Sequence, residues 1–122
     1  MENKDPLTER IISCCFKVHT ELGAGFNENI YHNALKLMFT QEHIKYDTEK
    51  RYDVSYHGKR IGNLIVDLVV EDKVIVEIKA ITGNIPEVFK YQVLSYLKVS
   101  AIKVGLLINF GNKSCQVKRI MF

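Results

Sequence analysis

Apolar positions in the first part of the chain recur at helical intervals. Asp5 followed by Pro6 is an N-cap and first-turn signal, and Leu7, Ile11, Cys15, Val18 and Leu22 keep a helical spacing until Gly23. A helix is therefore predicted over 6–22. Gly23, Ala24 and Gly25 interrupt it, after which Ile30 or Tyr31, Ala34, Leu35 and Met38 form a second apolar stripe that ends near Glu42. From Ile44 the period shortens. Strand-like runs over 50–56, 60–70 and 74–80 are separated by His57-Gly58-Lys59 and by Glu71-Asp72-Lys73, which predicts an antiparallel meander. Pro86 opens a third helix, in which Val88 or Phe89, Tyr91 or Gln92, Tyr96 and Val99 share faces and no glycine intervenes before Ser100. The apolar run 104–108, bounded by Asn109-Phe110-Gly111-Asn112, reads as a buried strand, and 115–121 as a final strand with polar alternation at Gln116 and Lys118. The predicted order is ααβββαββ, without internal repeats.

Composition places few further bounds on the chain. At 122 residues it has the length of one ordinary domain, and a single domain over 1–122 is expected, able to bury roughly two-thirds of its unfolded surface. The hydrophobic share of 47%, the charged share of 25% and only two prolines exclude a disordered or fibrous protein. No apolar stretch approaches the roughly 18 residues of a membrane span, and Glu9, Arg10, Lys17 and His19 break the first segment as a signal peptide. A cytoplasmic location without membrane contact is the resulting expectation. Cys14, Cys15 and Cys115 are odd in number and lack zinc-ligand spacing, so they are expected to be reduced thiols, mostly in the core. His19, His32, His43 and His57 have no ligand-like pairing and are assigned no role. A net charge of +3 falls short of the basicity of modules that bind nucleic acid mainly by charge. Lys50, Arg51, Lys59 and Arg60 around the first hairpin, and Lys113, Lys118 and Arg119 near the C terminus, are the residues that would meet a phosphate backbone.

The chemistry is concentrated in 66–79, two apolar strands around an acidic turn, with Asp67, Glu77 and Lys79 set among the apolar residues. If Glu71-Asp72-Lys73 is a three-residue hairpin loop, Val70 pairs with Val74, Leu68 with Val76, and Asp67 lies opposite Glu77 on one face. Like charges in that position destabilise a sheet, and burying them without a partner costs several kcal/mol, so a cation between them is expected. Oxygen ligands of this kind suit Mg²⁺ or Mn²⁺, which accept one or two carboxylates and leave other positions to water and phosphate. Lys79, two residues beyond Glu77, projects from the same face. The plain alternative makes Glu77 and Lys79 the exposed half of an edge strand whose Val76, Ile78 and Ala80 face the core. Gln92 and Tyr96 stand four apart on one face of the third helix, where an amide and a phenol can contact a phosphate; a rim tyrosine of the core is the ordinary reading of Tyr96. Glu28 and Tyr31, in the run Gly25-x-x-Glu28-x-x-Tyr31, stand three apart at the start of the second helix, where an acid also complements the helix dipole.

Asp67, nine intervening residues, Glu77-Ile78-Lys79, then Gln92-x-x-x-Tyr96 on a helix together resemble the PD-(D/E)XK nuclease superfamily, including its branch with a Gln-x-x-x-Tyr motif. The run 25–31 is similar to the signature of the small GxxExxY proteins within that superfamily, and the resemblance covers nearly the whole chain. Val66 stands where the superfamily's name has proline, a departure that spares every ligand-capable position. The resemblance implies an α/β, restriction-endonuclease-like fold with a central mixed β-sheet flanked by helices. It also implies Asp67 and Glu77 as principal metal ligands, with Glu28 as a helical acid at the metal. Lys79 would orient or activate the attacking water, and Gln92 and Tyr96 would support substrate and site geometry. The implied activity is metal-dependent hydrolysis of phosphodiester bonds in DNA. A module that keeps the nuclease fold but only binds nucleic acid or protein is the alternative, and a scaffold with an incidental acidic hairpin is the plainest one. A chain this short has little surface beyond an active cleft to hold a duplex, which leaves room for a homodimer.

Overall fold

The computed structural model describes residues 5–122. Helix α1 (Pro6–Leu22) begins where the sequence signals it: the Asp5 carboxylate accepts from the Leu7 amide at 3.2 Å and from the Thr8 hydroxyl at 2.7 Å. Gly23, at a φ of 75°, ends it in a conformation that costs a residue with a Cβ. Helix α2 (Glu28–Gln41) is capped by Asn27, whose side chain accepts from the Ile30 amide at 3.3 Å. Strands β1 (Tyr46–Tyr56), β2 (Lys59–Val70) and β3 (Val74–Lys79) follow, then helix α3 (Glu87–Ser100) and strands β4 (Val104–Asn109) and β5 (Gln116–Met121). The observed order is the predicted one. Strand β1 starts earlier than expected because Asp47, Thr48 and Glu49 are all exposed and so carry no alternation to read.

The five strands form one sheet in the order β1-β2-β3-β4-β5. Strand β1 pairs with β2, and β2 with β3, in antiparallel fashion, as the predicted meander requires. The connection from β3 to its neighbour β4 passes through α3, the kind of crossover that joins parallel strands, so the sheet is mixed. The first hairpin turns on His57 (φ 49°) and Gly58 (φ 76°), with Tyr56 opposite Lys59. Positive φ at both central residues is the arrangement that favours Asn-Gly. His57→Asn should therefore raise stability by about 0.5 kcal/mol, read as a higher urea midpoint with an unchanged slope. The second hairpin turns on Glu71 and Asp72, both at positive φ, with the Lys73 amide bonded to the Val70 carbonyl at 2.9 Å. Midway along β1, Glu49 also sits at positive φ (52°), and the pairing with β2 passes from Thr48↔Leu68 to Lys50↔Val66 across it.

The chain divides into two compact units. The first comprises the described residues up to Lys45 together with Ile78–Ile85 and Ile108–Val117; the second comprises Tyr46–Glu77, Pro86–Leu107 and Lys118–Phe122. In the first unit, Ile11, Cys15 and Val18 of α1 and Tyr31, Leu35 and Phe39 of α2 are buried, and the Tyr31 and Phe110 rings stack 4.7 Å apart. Each such aliphatic or aromatic side chain contributes about 1.5–3 kcal/mol by leaving water. The Tyr31 hydroxyl donates to the Gly23 carbonyl and accepts from the Phe26 amide, which ties the turn before α2 to the core. Burial pushes the Cys14 and Cys15 thiols up and carries Cys115 up to about 11, so all three are thiols rather than thiolates at neutral pH. In the second unit, Val66, Leu68, Val69 and Val70 of β2, Val74, Ile75 and Val76 of β3, and Val93 and Leu97 of α3 are buried. Gly105 lets α3 lie close on β4, since a Cβ there would stand 2.6 Å from Val93 Cγ1.

Candidate active site

Four of the six residues singled out in the sequence belong to the second unit. Val69 pairs with Ile75 and Val70 with Val74, around the loop 71–73. Continued two residues further, that register sets Asp67 opposite Glu77 on one face. Asp67 is exposed, whereas Glu77 is only 6% exposed. Strand β3 lies between β2 and β4, so Glu77 and Lys79 are not the outer half of an edge strand. Tyr96, on α3, reports on the same spot. Its hydroxyl is held above the ordinary tyrosine range by burial first, then by the negative charges of Glu77 and Asp67, with a hydrogen bond from Gln92 opposing them. Two carboxylates, a phenol and an amide thus share one locality. The Gln92 Oε1 atom is buried there and has no hydrogen-bond partner.

This donor set tests the fit of a divalent cation. Asp67, Glu77 and Gln92 Oε1 offer only oxygens, two of them charged, and the amide oxygen still lacks a partner. Hard oxygen donors in that number suit Mg²⁺ or Mn²⁺, which complete their shell with water and phosphate. Among the described residues no group of three or more His, Cys, Asp or Glu gathers to hold a metal.

The other two residues belong to the first unit. Lys79 is half-buried at the end of β3, on the same strand face as Glu77 by the period-two rule, and its carbonyl accepts from the Phe110 amide at 2.9 Å. Glu28 is exposed in the first turn of α2. A cavity of about 310 Å³ lies between α1 and α2, lined by residues such as Val18, Leu22, Leu37 and Met38, and holds none of the six. Two of the basic residues near the first hairpin are engaged with acids: Lys50 with Asp72 and Asp47, and Arg60 with Asp53 at 3.0 Å. Sequence reading passed over Asn109, Asn112 and Gln116, which join in one hydrogen-bonded group beside the chain that follows Lys79. Their one visible signal is an asparagine closing an apolar strand, ahead of Phe-Gly-Asn.

A family model for the PD-(D/E)XK nuclease superfamily matches residues 5–120. The chain belongs to the PD-(D/E)XK nuclease superfamily. Among solved structures, the crystal structure of SSO0001 superposes on this PD-(D/E)XK protein with a TM-score of 0.63, covering 96% of this chain and 78% of that one. At 14% identity the likeness supports the fold alone. Comparison with curated proteins yields no match. The PD-(D/E)XK assignment agrees with the α/β architecture, a mixed five-stranded sheet and three helices. None of the described helices is long and apolar enough to cross a membrane.

Proposed function

We propose that this PD-(D/E)XK protein, of the GxxExxY type, is a metal-dependent phosphodiesterase acting on DNA, with Asp67 and Glu77 as the ligands of Mg²⁺ or Mn²⁺. The observation that carries the reading is the convergence of Asp67, Glu77, Gln92 and Tyr96 on one spot in a chain of nuclease ancestry. A bound cation would supply Lewis-acid stabilisation of the charge that builds on the phosphoryl oxygens. Asp67 and Glu77 would hold it, and their mutual repulsion would be relieved in doing so. Lys79, on the same strand face as Glu77 by the period-two rule, would orient or activate the attacking water. Tyr96 keeps its proton well into alkaline conditions and so stays a donor to a phosphate oxygen, while Gln92 orients it. Glu28 enters the reading only through the resemblance of its motif. Reduced thiols suit a cytoplasmic setting, and a second copy of the chain would add the surface that 122 residues offer sparingly to a duplex.

The test is cleavage of single-stranded, duplex and branched DNA with Mg²⁺, Mn²⁺ or EDTA, with Lys79→Ala in parallel. Cleavage that needs metal and falls at least about a hundredfold in Lys79→Ala, with metal binding retained by calorimetry, is the expected result. Clean wild-type protein that neither cleaves nor binds metal would instead make the chain an accessory module that keeps the nuclease fold.

A further inference from the structure

The segment that follows Lys79 is held by side chains that do the work of a neighbouring strand. The ladder reaches Lys79 through the Phe110 amide, which donates to the Lys79 carbonyl at 2.9 Å. Two residues on, the Asn109 carboxamide takes over: its Oδ1 accepts from the Ile81 amide and its Nδ2 donates to the Ile81 carbonyl, both at 3.0 Å. A further two residues on, Asn112 repeats the pattern with Gly83, accepting and donating at 2.8 Å. Residues 79, 81 and 83 are therefore engaged in turn along the chain, first by backbone and then by two amides that each imitate a peptide group.

Both carboxamides are themselves fixed. Gln116 Oε1 accepts the second hydrogen of each Nδ2, at 3.1 Å from Asn109 and 2.8 Å from Asn112, so one side chain sets the orientation of both. The Asn109 Oδ1 also accepts from the Gly111 amide at 3.0 Å, and the Asn112 carbonyl lies 2.8 Å from His19 Nε2. Asn109 is wholly buried and fully bonded, the condition under which a polar network rigidifies rather than weakens a core. Every residue in this group belongs to the first compact unit, as Lys79 does.

We infer that Asn109, Asn112 and Gln116 are positioning residues for Lys79, clamping the chain beyond it so that its ammonium is presented in one orientation. The inference rests on the reading of Lys79 as the catalytic lysine. It assigns the three amides no contact with substrate, so they should act on kcat through Lys79 and leave KM alone.

The experiment combines amide hydrogen exchange by NMR at Ile81 and Gly83 with steady-state DNA cleavage in Mn²⁺, for wild type, Asn112→Ala, Gln116→Met, Gln116→Glu and Lys79→Ala. Asn109→Ala is avoided because Asn109 is wholly buried and unfolding would mask its effect on Lys79. Expected are about tenfold faster exchange at Gly83 and about tenfold lower kcat in Asn112→Ala, with KM unchanged. Gln116→Met should share the defect, and Gln116→Glu, which keeps an acceptor oxygen at the same reach, should restore both readouts towards wild type. Faster exchange with unaltered kcat would overturn the positioning role, as would equal defects in Gln116→Met and Gln116→Glu or a change confined to KM. Unaltered exchange at Gly83 in Asn112→Ala would overturn the clamp itself. Wild-type protein that never cleaves would defeat the reading of Lys79 and the catalytic part of the inference with it, and the exchange data would still decide the clamp separately.

Discussion

Asp67→Asn should abolish metal-dependent cleavage while making the metal-free protein more stable. The two effects have one cause. In wild type, Asp67 and Glu77 fall opposite each other in the register of β2 and β3, and both negative charges act on Tyr96. Removing one charge relieves a like-charge cross-strand pair, a gain of about 0.2–1 kcal/mol, or up to a few degrees in Tm for a domain of this size. It also removes half of the carboxylate pair proposed to hold the cation. Loss of about 4 kcal/mol of transition-state stabilisation corresponds to roughly a thousandfold in rate. Thermal melts with and without Mn²⁺ provide the check. Wild type should rise by about 2–3 kcal/mol in stability at saturating metal, and Asp67→Asn should start higher and rise little. A variant that starts lower and still responds to metal would mean that Asp67 is an ordinary surface residue of β2.

The largest loss of stability is expected from Gly111→Ala. A Cβ at Gly111 would stand 2.2 Å from the Ile81 carbonyl oxygen, 2.4 Å from its nitrogen and 2.5 Å from its carbonyl carbon. These are backbone atoms, and the Asn109 carboxamide holds them by two hydrogen bonds, so no side-chain rotation can relieve the overlap. Relief requires the segment after Lys79 to move off the turn, breaking the bonds at Ile81. Overpacking alone costs about 1–3 kcal/mol and a broken buried hydrogen bond about as much again, so a loss of roughly 3–5 kcal/mol should appear in urea unfolding. By contrast, Gly105→Ala meets side-chain atoms of Val93 and Leu97 rather than bonded backbone and should cost less. Equal losses for the two variants would show that the chain at Ile81 yields more readily than its bonding implies.

Much of this molecule can be read in its sequence, for identifiable reasons. Both N-caps of the first two helices are short polar side chains followed by apolar positions at helical spacing, so α1 and α2 announce themselves. The Asp67–Glu77 register follows from a short loop, because the loop length fixes every pair along the hairpin. What stays hidden is of two kinds. The start of β1 is exposed and charged, and an element without a buried face leaves no periodic trace. The amide clamp pairs Asn109 with Ile81, 28 residues apart, through a side chain that substitutes for backbone, and neither period nor spacing records such a bond.

Strand β1 closes one end of the sheet, and that position has a consequence for how the protein behaves in a crowded solution. An end strand of this length is a template on which another chain can build, and in many proteins it seeds aggregation. Here Asp47, Glu49, Lys50, Arg51 and Asp53 place a charge at almost every step of its middle, and the left-handed residue Glu49 disturbs the straight run that a foreign strand would need. The exposed, charged run that left the start of β1 without a sequence signature thus doubles as its defence, and replacing it with apolar residues would exchange solubility for a more adhesive edge.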